Sequence, residues 1–253
     1  MGTERSLQDT IEAFDGEIHV MVRSFGGREF CHNADAPSDP ASVIKLVILN
    51  EAFQTLDLGE RVTIPHDPKA AGWGVLRRLT GDVTMSFLDV VTLMIIHSDN
   101  LATDFVLSRL DRDAMHERLR EIGLKNTCAY NGFGTSFAPP ETEQKNTTTP
   151  RDIVTLLAHI DQHEGMMDVL SKQTDRSIIH HATPSDVARY TKSGQSERVR
   201  NDAGILKWDR GGAYVALFAV RNRDVPDFKE LFVYDMELVP IAEAAYLWAR
   251  AQT

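Results

Sequence analysis

The sequence predicts an α+β fold whose antiparallel sheet is built from both ends of the chain. Two observations support this prediction. Residues 17–25 and three segments after Pro184 have the alternating pattern of strands, whereas residues 41–181 have mostly helical periodicity. Strands at both ends around a helical middle imply a sheet flanked by N- and C-terminal helices, with an all-helical lobe inserted between its halves.

We therefore expect a single domain over residues 1–253 that is divided into two lobes. Residues 1–48 and 185–253 form the α/β sheet lobe, and residues 49–184 form the helical lobe. A crevice between two such lobes is a common place for a site.

The predicted N-terminal elements are a helix and a hairpin. In residues 6–14 (SLQDTIEAF), Leu7, Ile11 and Phe14 share one helical stripe. The segment EIHVMVRSF alternates as a strand does, and the glycine pair before REFCHN predicts a hairpin turn.

The same periodic patterns predict the helices and strands in the middle and at the end of the chain. Residues 86–110 and 149–160 give the clearest helical patterns, the second with Thr149 as its N-cap and Pro150 as its first residue. Strands follow over VARYTKSG, NDAGILKW and GAYVALFAV, and VPIAEAAYLWARA closes the chain as an apolar helix.

Charge and composition narrow the classes of partner. The formal charge of the 253-residue chain is −10, and no long basic run is present, which argues against nucleic acid and anionic membranes as partners. No stretch reaches the apolar length of a membrane span and the N-terminus lacks a signal-peptide core, so a cytoplasmic location is the default expectation. A periplasmic or secreted location is the alternative if an N-terminal segment has been removed. Cys31 and Cys128 are the only cysteines, and a single bridge between them stays possible.

Three short motifs with residues suited to catalysis follow one another along the chain: SVIK at 42–45, SDN at 98–100 and KSG at 192–194. Each motif alone has an ordinary structural explanation. The first fits a helix start with a snorkelling lysine, and the second fits a helix cap or a turn. Their order and separation make coincidence a poor explanation of the set.

Together with their flanks, the motifs resemble class A β-lactamases and penicillin-binding proteins, the penicillin-recognising serine enzymes. The stretch from AGWGVLRRL to NLATDFVL is similar to the family segment around Ser-Asp-Asn. NTTTPRDIVTLL is similar to its Thr-Thr-Pro helix start, and RNDAGILKW to the strand after Lys-Thr-Gly, with Ser193 in place of the threonine. The resemblance spans nearly the whole chain and implies the β-lactamase/transpeptidase fold, without a metal or an organic cofactor.

The resemblance implies catalytic roles for the first two motifs. Ser42 is expected to be the nucleophile, Lys45 its base, and Ser98 a relay of the proton to the leaving nitrogen. Burial among apolar residues and a second cation, Lys192, would favour a neutral Lys45. Asn100 is expected to orient the substrate amide.

The third motif is expected to bind the substrate. By the same resemblance, Lys192 and Ser193 would hold a substrate carboxylate. The backbone N–H of Gln195 would complete an oxyanion hole with that of Ser42, and Gly194 suits a close backbone approach.

Three side chains are weaker candidates for the same cleft. Arg176 or Arg200 would assist with the carboxylate or stay solvated at the surface. Trp73 would form an aromatic wall of the cleft or pack at the boundary between the lobes.

One loop departs from the class A pattern. That family carries a Glu-x-x-x-Asn stretch before Thr-Thr-Pro, and its glutamate activates the water that frees the acylated serine. Here the position falls near residues 131–134 (NGFG), which contain no carboxylate. Glu141 and Glu143 come later, and neither has an asparagine four residues on. Either one of them replaces the base, or rapid deacylation is absent.

The leading hypothesis is a serine hydrolase that opens a β-lactam through an acyl-enzyme on Ser42, slowly because of the altered loop. The alternative is a D-alanyl peptidase or transpeptidase, or a hydrolase of small esters or amides. A third hypothesis is a β-lactam receptor that is acylated without turnover. In each case the partner is a small molecule.

Overall fold

The structure is a computed structural model that describes residues 2–67, 70, 72–176, 178–221 and 228–253. Its helices are α1 (Gly2–Glu12), α2 (Lys45–Thr55), α3 (Phe87–Ile96), α4 (Asn100–Leu107), α5 (Arg112–Glu121), α6 (Pro150–Ile160), α7 (Glu164–Ser171), α8 (Ile178–Ala182) and α9 (Phe228–Arg250). Its strands are β1 (Gly16–Ser24), β2 (Glu29–His32), β3 (Arg61–Ile64), β4 (Val83–Ser86), β5 (Ala188–Gln195), β6 (Val199–Trp208) and β7 (Gly211–Arg221).

The main sheet joins the two ends of the chain, as the sequence predicts. Its strands lie in the order β2-β1-β7-β6-β5, and every neighbouring pair is antiparallel. The first strand pairs with the last over its whole length, from Gly16 opposite Arg221 to Ser24 opposite Ala213. The α+β class with a sheet from both chain ends is therefore confirmed, and β5 is left at an edge.

Apolar side chains are buried on both faces of this sheet. On one face, α1, α8 and α9 pack against it through residues such as Leu7, Ile179 and Leu238. On the other face, α6 packs against the sheet, and α2, α3, α4 and α7 extend the same core through residues such as Leu49 and Val91. The sheet is therefore the middle layer between two helical layers.

The middle of the chain is not wholly helical, which corrects one part of the prediction. Strands β3 and β4 form a separate antiparallel pair between α2 and α3. In β3, Val62 and Ile64 are buried while Arg61 and Thr63 are exposed. An alternation of only four residues is easily lost between longer helical patterns.

The helix predicted over residues 86–110 is also interrupted. It consists of α3 and α4, which are separated by a tight junction at residues 97–99. The start of α6 agrees with the prediction, since the Thr149 side chain accepts a hydrogen bond from the backbone N–H of Asp152 and Pro150 is the first helical residue.

The cysteines are not bridged: Cys31 is exposed, Cys128 is half-buried, and both thiols are free. The bridge that the sequence left open is therefore not formed. Among the described residues, no helix combines the length and the apolarity needed to cross a bilayer.

Candidate active site

Ser42 lies in a tight turn that leads straight into α2. Residues 41–44 form one 3₁₀ turn rather than the start of the α-helix, and Lys45 is the first α-helical residue. Residues three apart in a 3₁₀ turn are eclipsed, so this geometry puts Lys45 on the same face as Ser42, and the Lys45 N–H donates to the Ser42 carbonyl. Ala41, just before the serine, has a φ of +43°, a conformation that non-glycine residues rarely adopt. The half-buried Ser42 lines a cleft of about 740 Å³.

Lys45 is fully buried, and its amine contacts two residues of the SDN motif. The Nζ lies 2.6 Å from the carbonyl oxygen of Ser98, 3.0 Å from the Ser98 Oγ and 2.9 Å from the Asn100 Oδ1. A neutral amine has two N–H donors and one lone pair. The three oxygens match the three N–H donors of the charged form, and loss of one proton leaves two donors and a lone pair that can accept a proton.

The surroundings of Lys45 favour this neutral form. Burial lowers the pKa of its amine well below the ordinary value, and the positive charge of Lys192 lowers this pKa further. The negative charges of Asp99 and Asp104 act in the opposite direction and are the smaller influences. Both effects favour the neutral amine, which is the form that can accept a proton.

The junction between α3 and α4 turns Ser98 towards Lys45. Ser98 has a φ of +50°, in the left-handed region, and both its carbonyl and its hydroxyl contact the lysine amine. Strained backbone of this kind is often retained at functional sites. No periodicity in the sequence could predict this conformation.

Asp99 stabilises the junction between α3 and α4 and does not line the cleft. Its carboxylate accepts hydrogen bonds from the backbone N–H groups of Val75, Leu76 and Ala102. It thereby caps α4 and holds the 72–76 segment against it. A Cβ on Gly74 would lie 2.5 Å from the Asp99 carboxyl carbon, so only glycine allows this close approach.

Edge strand β5 runs directly past the Ser42 turn. A Cβ on Gly194 would lie 2.7 Å from the Pro40 carbonyl oxygen and 3.0 Å from the Ser42 backbone nitrogen. The two backbones can therefore touch only because residue 194 is glycine.

The register of β5 directs the backbone N–H of Gln195 away from the neighbouring strand β6. Gln195 lies opposite Arg200, and the next pair is joined by a hydrogen bond from Ser196 N–H to the Val199 carbonyl. Hydrogen-bonded and non-bonded pairs alternate along an antiparallel ladder. The N–H of Gln195 therefore points away from β6, to the open edge of the sheet.

Lys192 and Ser193 form the opposite wall of the cleft. The Lys192 Nζ is buried and donates to the Ser193 carbonyl oxygen at 2.7 Å, and burial lowers its pKa to about 8. The Ser193 hydroxyl donates to the carboxylate of Asp175, a residue that no sequence motif marks. The hydroxyl expected to hold a substrate carboxylate thus already holds one from the protein.

Phe133 lies on the other side of Lys45. The centre of its ring is 4.3 Å from the Lys45 Nζ, and it lines the cleft. Its backbone N–H donates to the buried Asp104, whose carboxylate also accepts from the Thr135 N–H and hydroxyl. Burial raises the pKa of Asp104. This rewritten loop therefore presents an aromatic ring at the position where the sequence lacked the expected glutamate.

Two of the five weaker candidates line the cleft, and three lie outside it. Trp73 and Arg200 line the cleft; the Trp73 side chain is 57% exposed, and its carbonyl accepts from the Asn100 N–H. Glu141, Glu143 and Arg176 are exposed, and none of them lines the cleft. Of these five candidates, the structure brings only the first two together with Ser42.

Comparisons with known proteins point to one family. The model of the "Beta-lactamase enzyme family" matches residues 2–233. A β-lactamase structure from Sphaerobacter thermophilus superposes with a TM-score of 0.84 at 23% identity, covering 99% of this chain and 97% of that one. PBP-A superposes with a TM-score of 0.82 at 22% identity, covering 100% of this chain and 97% of that one.

A PBP-A mutant determined as an acyl-enzyme complex with penicillin G gives a TM-score of 0.81 at 23% identity, with 99% and 96% of the chains covered. Identities this low show a shared fold alone. No curated protein sequence matches the chain. Because the family match extends over nearly the whole sequence, the chain belongs to the β-lactamase enzyme family.

Proposed function

We propose that this protein is a serine acyl-transfer enzyme in which Ser42 attacks a lactam or a related amide or ester carbonyl and forms an acyl-enzyme. One observation carries the proposal. The amine of Lys45 is buried, contacts Ser98 and Asn100, which line the cleft together with Ser42, and belongs to the residue one 3₁₀ turn after Ser42. A serine hydroxyl needs such a neighbour to take its proton as attack proceeds.

The proton follows a short path. Lys45 takes the proton of the Ser42 hydroxyl, and Ser98 passes a proton from Lys45 to the leaving nitrogen as the carbon–nitrogen bond breaks. The 3.0 Å contact between the Lys45 Nζ and the Ser98 Oγ supports this relay. A positioned acid–base group contributes about 10²- to 10⁴-fold in rate.

The developing oxyanion is stabilised by two backbone N–H groups, those of Ser42 and Gln195. The contact between Gly194 and the Ser42 turn and the outward-facing edge of β5 support this assignment. One such donor contributes about 3–4 kcal/mol to the transition state. Asn100 orients the substrate amide while its Oδ1 holds Lys45.

Deacylation is the slow step of the proposed cycle. Hydrolysis of the ester requires a base that activates a water beside Ser42. The Phe133 ring lies against Lys45 at the rewritten loop, and Glu141 and Glu143 are exposed outside the cleft. The acyl-enzyme therefore persists after it forms, and β-lactam hydrolysis is slow.

The same loop favours a second candidate function, that of a D-alanyl peptidase or transpeptidase, or of a small ester or amide hydrolase. A long-lived acyl-enzyme from which water is poorly activated can transfer its acyl group to an amine. Release that is accelerated by an added amine more than by water would favour the transferase. A β-lactam receptor is the third candidate, and multiple turnovers of a ligand would exclude it.

Intact-mass analysis tests the proposal. The protein and its Ser42→Ala variant are incubated with benzylpenicillin and, separately, with a neutral thioester, then quenched over time. The proposal expects a one-to-one adduct on the wild-type protein only, decaying more slowly than it forms. The absence of an adduct from both reagents, or an equal adduct on the alanine variant, would contradict it.

A further inference from the structure

Asp175 occupies the Ser193 end of the cleft and is held there by its own loop. Its carboxylate accepts the Ser193 hydroxyl proton, and its backbone N–H donates to the Gln173 side chain at 2.9 Å. The Gln173 amide in turn donates to the Ile95 and Thr191 carbonyls, at 3.2 and 3.1 Å. These bonds tie residue 175 to the end of α3 and to β5, so its charge is a fixed feature of the cleft.

Charges of both signs surround this end of the cleft. The basic side chains are Lys192 and Arg200, and both are buried. Arg200 is paired with Asp235, since its Nε lies 3.2 Å from the Asp235 Oδ1. Burial raises the pKa of Asp235 to about 6, so this group is ionised at neutral pH. The negative charges of Asp175 and Asp202 both raise the pKa of Lys192.

The floor of the same end contains buried polar atoms without a hydrogen-bond partner. Among the described residues, the buried Arg200 Nη2 and Asn201 Oδ1 have no hydrogen-bond partner, and both side chains line the cleft. The Asn201 Nδ2 donates to the Asp39 carbonyl at 2.8 Å, which fixes the orientation of the amide. Its Oδ1 is therefore the atom without a hydrogen-bond partner. A carboxylate has acceptors only, whereas a carboxamide has an acceptor and a donor.

We propose that Asp175 makes this cleft select acyl donors whose leaving group carries a neutral carboxamide where a carboxylate is otherwise expected. The inference rests on the proposed acyl transfer to Ser42 and names the substrate class of that site. A carboxamide N–H₂ donates to Asp175 or Asn201, and its C=O accepts from Ser193 or Arg200. A carboxylate in the same place meets the Asp175 charge and leaves the Asn201 oxygen without a donor.

Three thioesters with one acyl group test this selection, with mercaptoacetamide, mercaptoacetate or 2-aminoethanethiol as the leaving group. In each reaction the Ser42 Oγ–carbon bond forms and the carbon–sulfur bond breaks. The Ser42 proton leaves with the thiol. Acylation rates are measured for the wild-type protein and for Asp175→Asn, and the ratio between the two proteins cancels the intrinsic reactivity of each ester.

The inference expects Asp175→Asn to raise the rate for the anionic ester, relative to the neutral ester, by at least about tenfold, as expected for one nearby unit charge removed. The cationic ester should lose rate relative to the neutral one. Asp175→Glu, which retains the charge, and Asp209→Asn, which removes an exposed charge outside the cleft, should keep the wild-type ratios.

Unchanged ratios in Asp175→Asn would overturn the selection while leaving the proposed function intact, because the esters would still acylate Ser42. A wild-type protein that prefers the anionic ester, by the same margin as Asp175→Asn, would also overturn it. No acylation by any of the three esters would overturn the proposed function itself, and the inference with it.

Discussion

The centre of the Phe133 ring lies 4.3 Å from the Nζ of Lys45. The same amine contacts Ser98 and Asn100 on its other side, so the proposed base is enclosed between the SDN motif and an aromatic ring. An apolar ring here contributes to the burial that lowers the pKa of Lys45. It also provides no group that could activate a water.

A carboxylate at position 133 should therefore speed deacylation. We expect Phe133→Glu to raise the release rate of a bound penicilloyl group by about 100-fold, the lower end of the range for a positioned general base. Quenched-flow intact mass separates this release from the formation of the adduct. Phe133→Gln is the matched control, because it opens the same space without a base. Equal release rates in the two variants would contradict the prediction.

Removing the Ser98 hydroxyl should slow acylation without a matching loss of stability. Ser98→Gly and Ser98→Ala both lose the relay and should acylate about 10²- to 10⁴-fold more slowly. Because φ at this position is +50°, the glycine variant should be more stable than the alanine variant by about 1 kcal/mol. Urea unfolding and acylation kinetics on the same samples measure the two effects separately. Wild-type acylation by the glycine variant would exclude the relay.

The pH profile of acylation should report the interaction between the two lysines. The rate should rise with pH as Lys45 loses its proton, and this limb should lie well below the ordinary lysine pKa. The Lys192 charge lowers the pKa of Lys45, so Lys192→Gln should shift the rising limb to higher pH. Lys172→Gln removes an exposed lysine paired with Asp168 and should leave the profile unchanged. A rising limb at the same pH in all three proteins would contradict this electrostatic account.

A methyl group on residue 194 should separate β5 from the Ser42 turn. Its Cβ would lie 2.7 Å from the Pro40 carbonyl and 3.0 Å from the Ser42 and Val43 nitrogens, so one backbone must move. We expect Gly194→Ala to slow acylation by about 100-fold through loss of oxyanion stabilisation. The control is Gly81→Ala, where a Cβ meets nothing within 4 Å. Similar acylation rates in both variants would exclude the close approach.

The sequence predicted those features of the site that follow from residue spacing and from strand alternation. The spacing of Ser42 and Lys45 predicted two groups on one face, and the alternating pattern of β5 placed its KSG motif on a strand. The left-handed backbone at Ser98 was not predictable, because a serine does not require positive φ and no glycine marks the position.

Contacts made by loops could not be predicted from the sequence either. NGFG indicated only that a carboxylate is missing, whereas the packing of Phe133 on Lys45 depends on the buried Asp104 that holds this loop by its backbone. Nothing in the sequence distinguishes Asp175 from other polar residues, and its contact with Ser193 is seen only in the structure. The short strand β3 was missed for a different reason, since its four residues carry too brief an alternation.

The central claim is that the amine of Lys45 is uncharged at neutral pH beside the Ser42 hydroxyl. Titration of the protein with ¹³Cε-labelled lysine by NMR measures this directly, with the Lys45 signal assigned from its absence in Lys45→Arg. We predict that this signal titrates far below those of the exposed lysines, and that Lys192→Gln moves its midpoint upward. A Lys45 signal that titrates together with the exposed lysines would contradict the account.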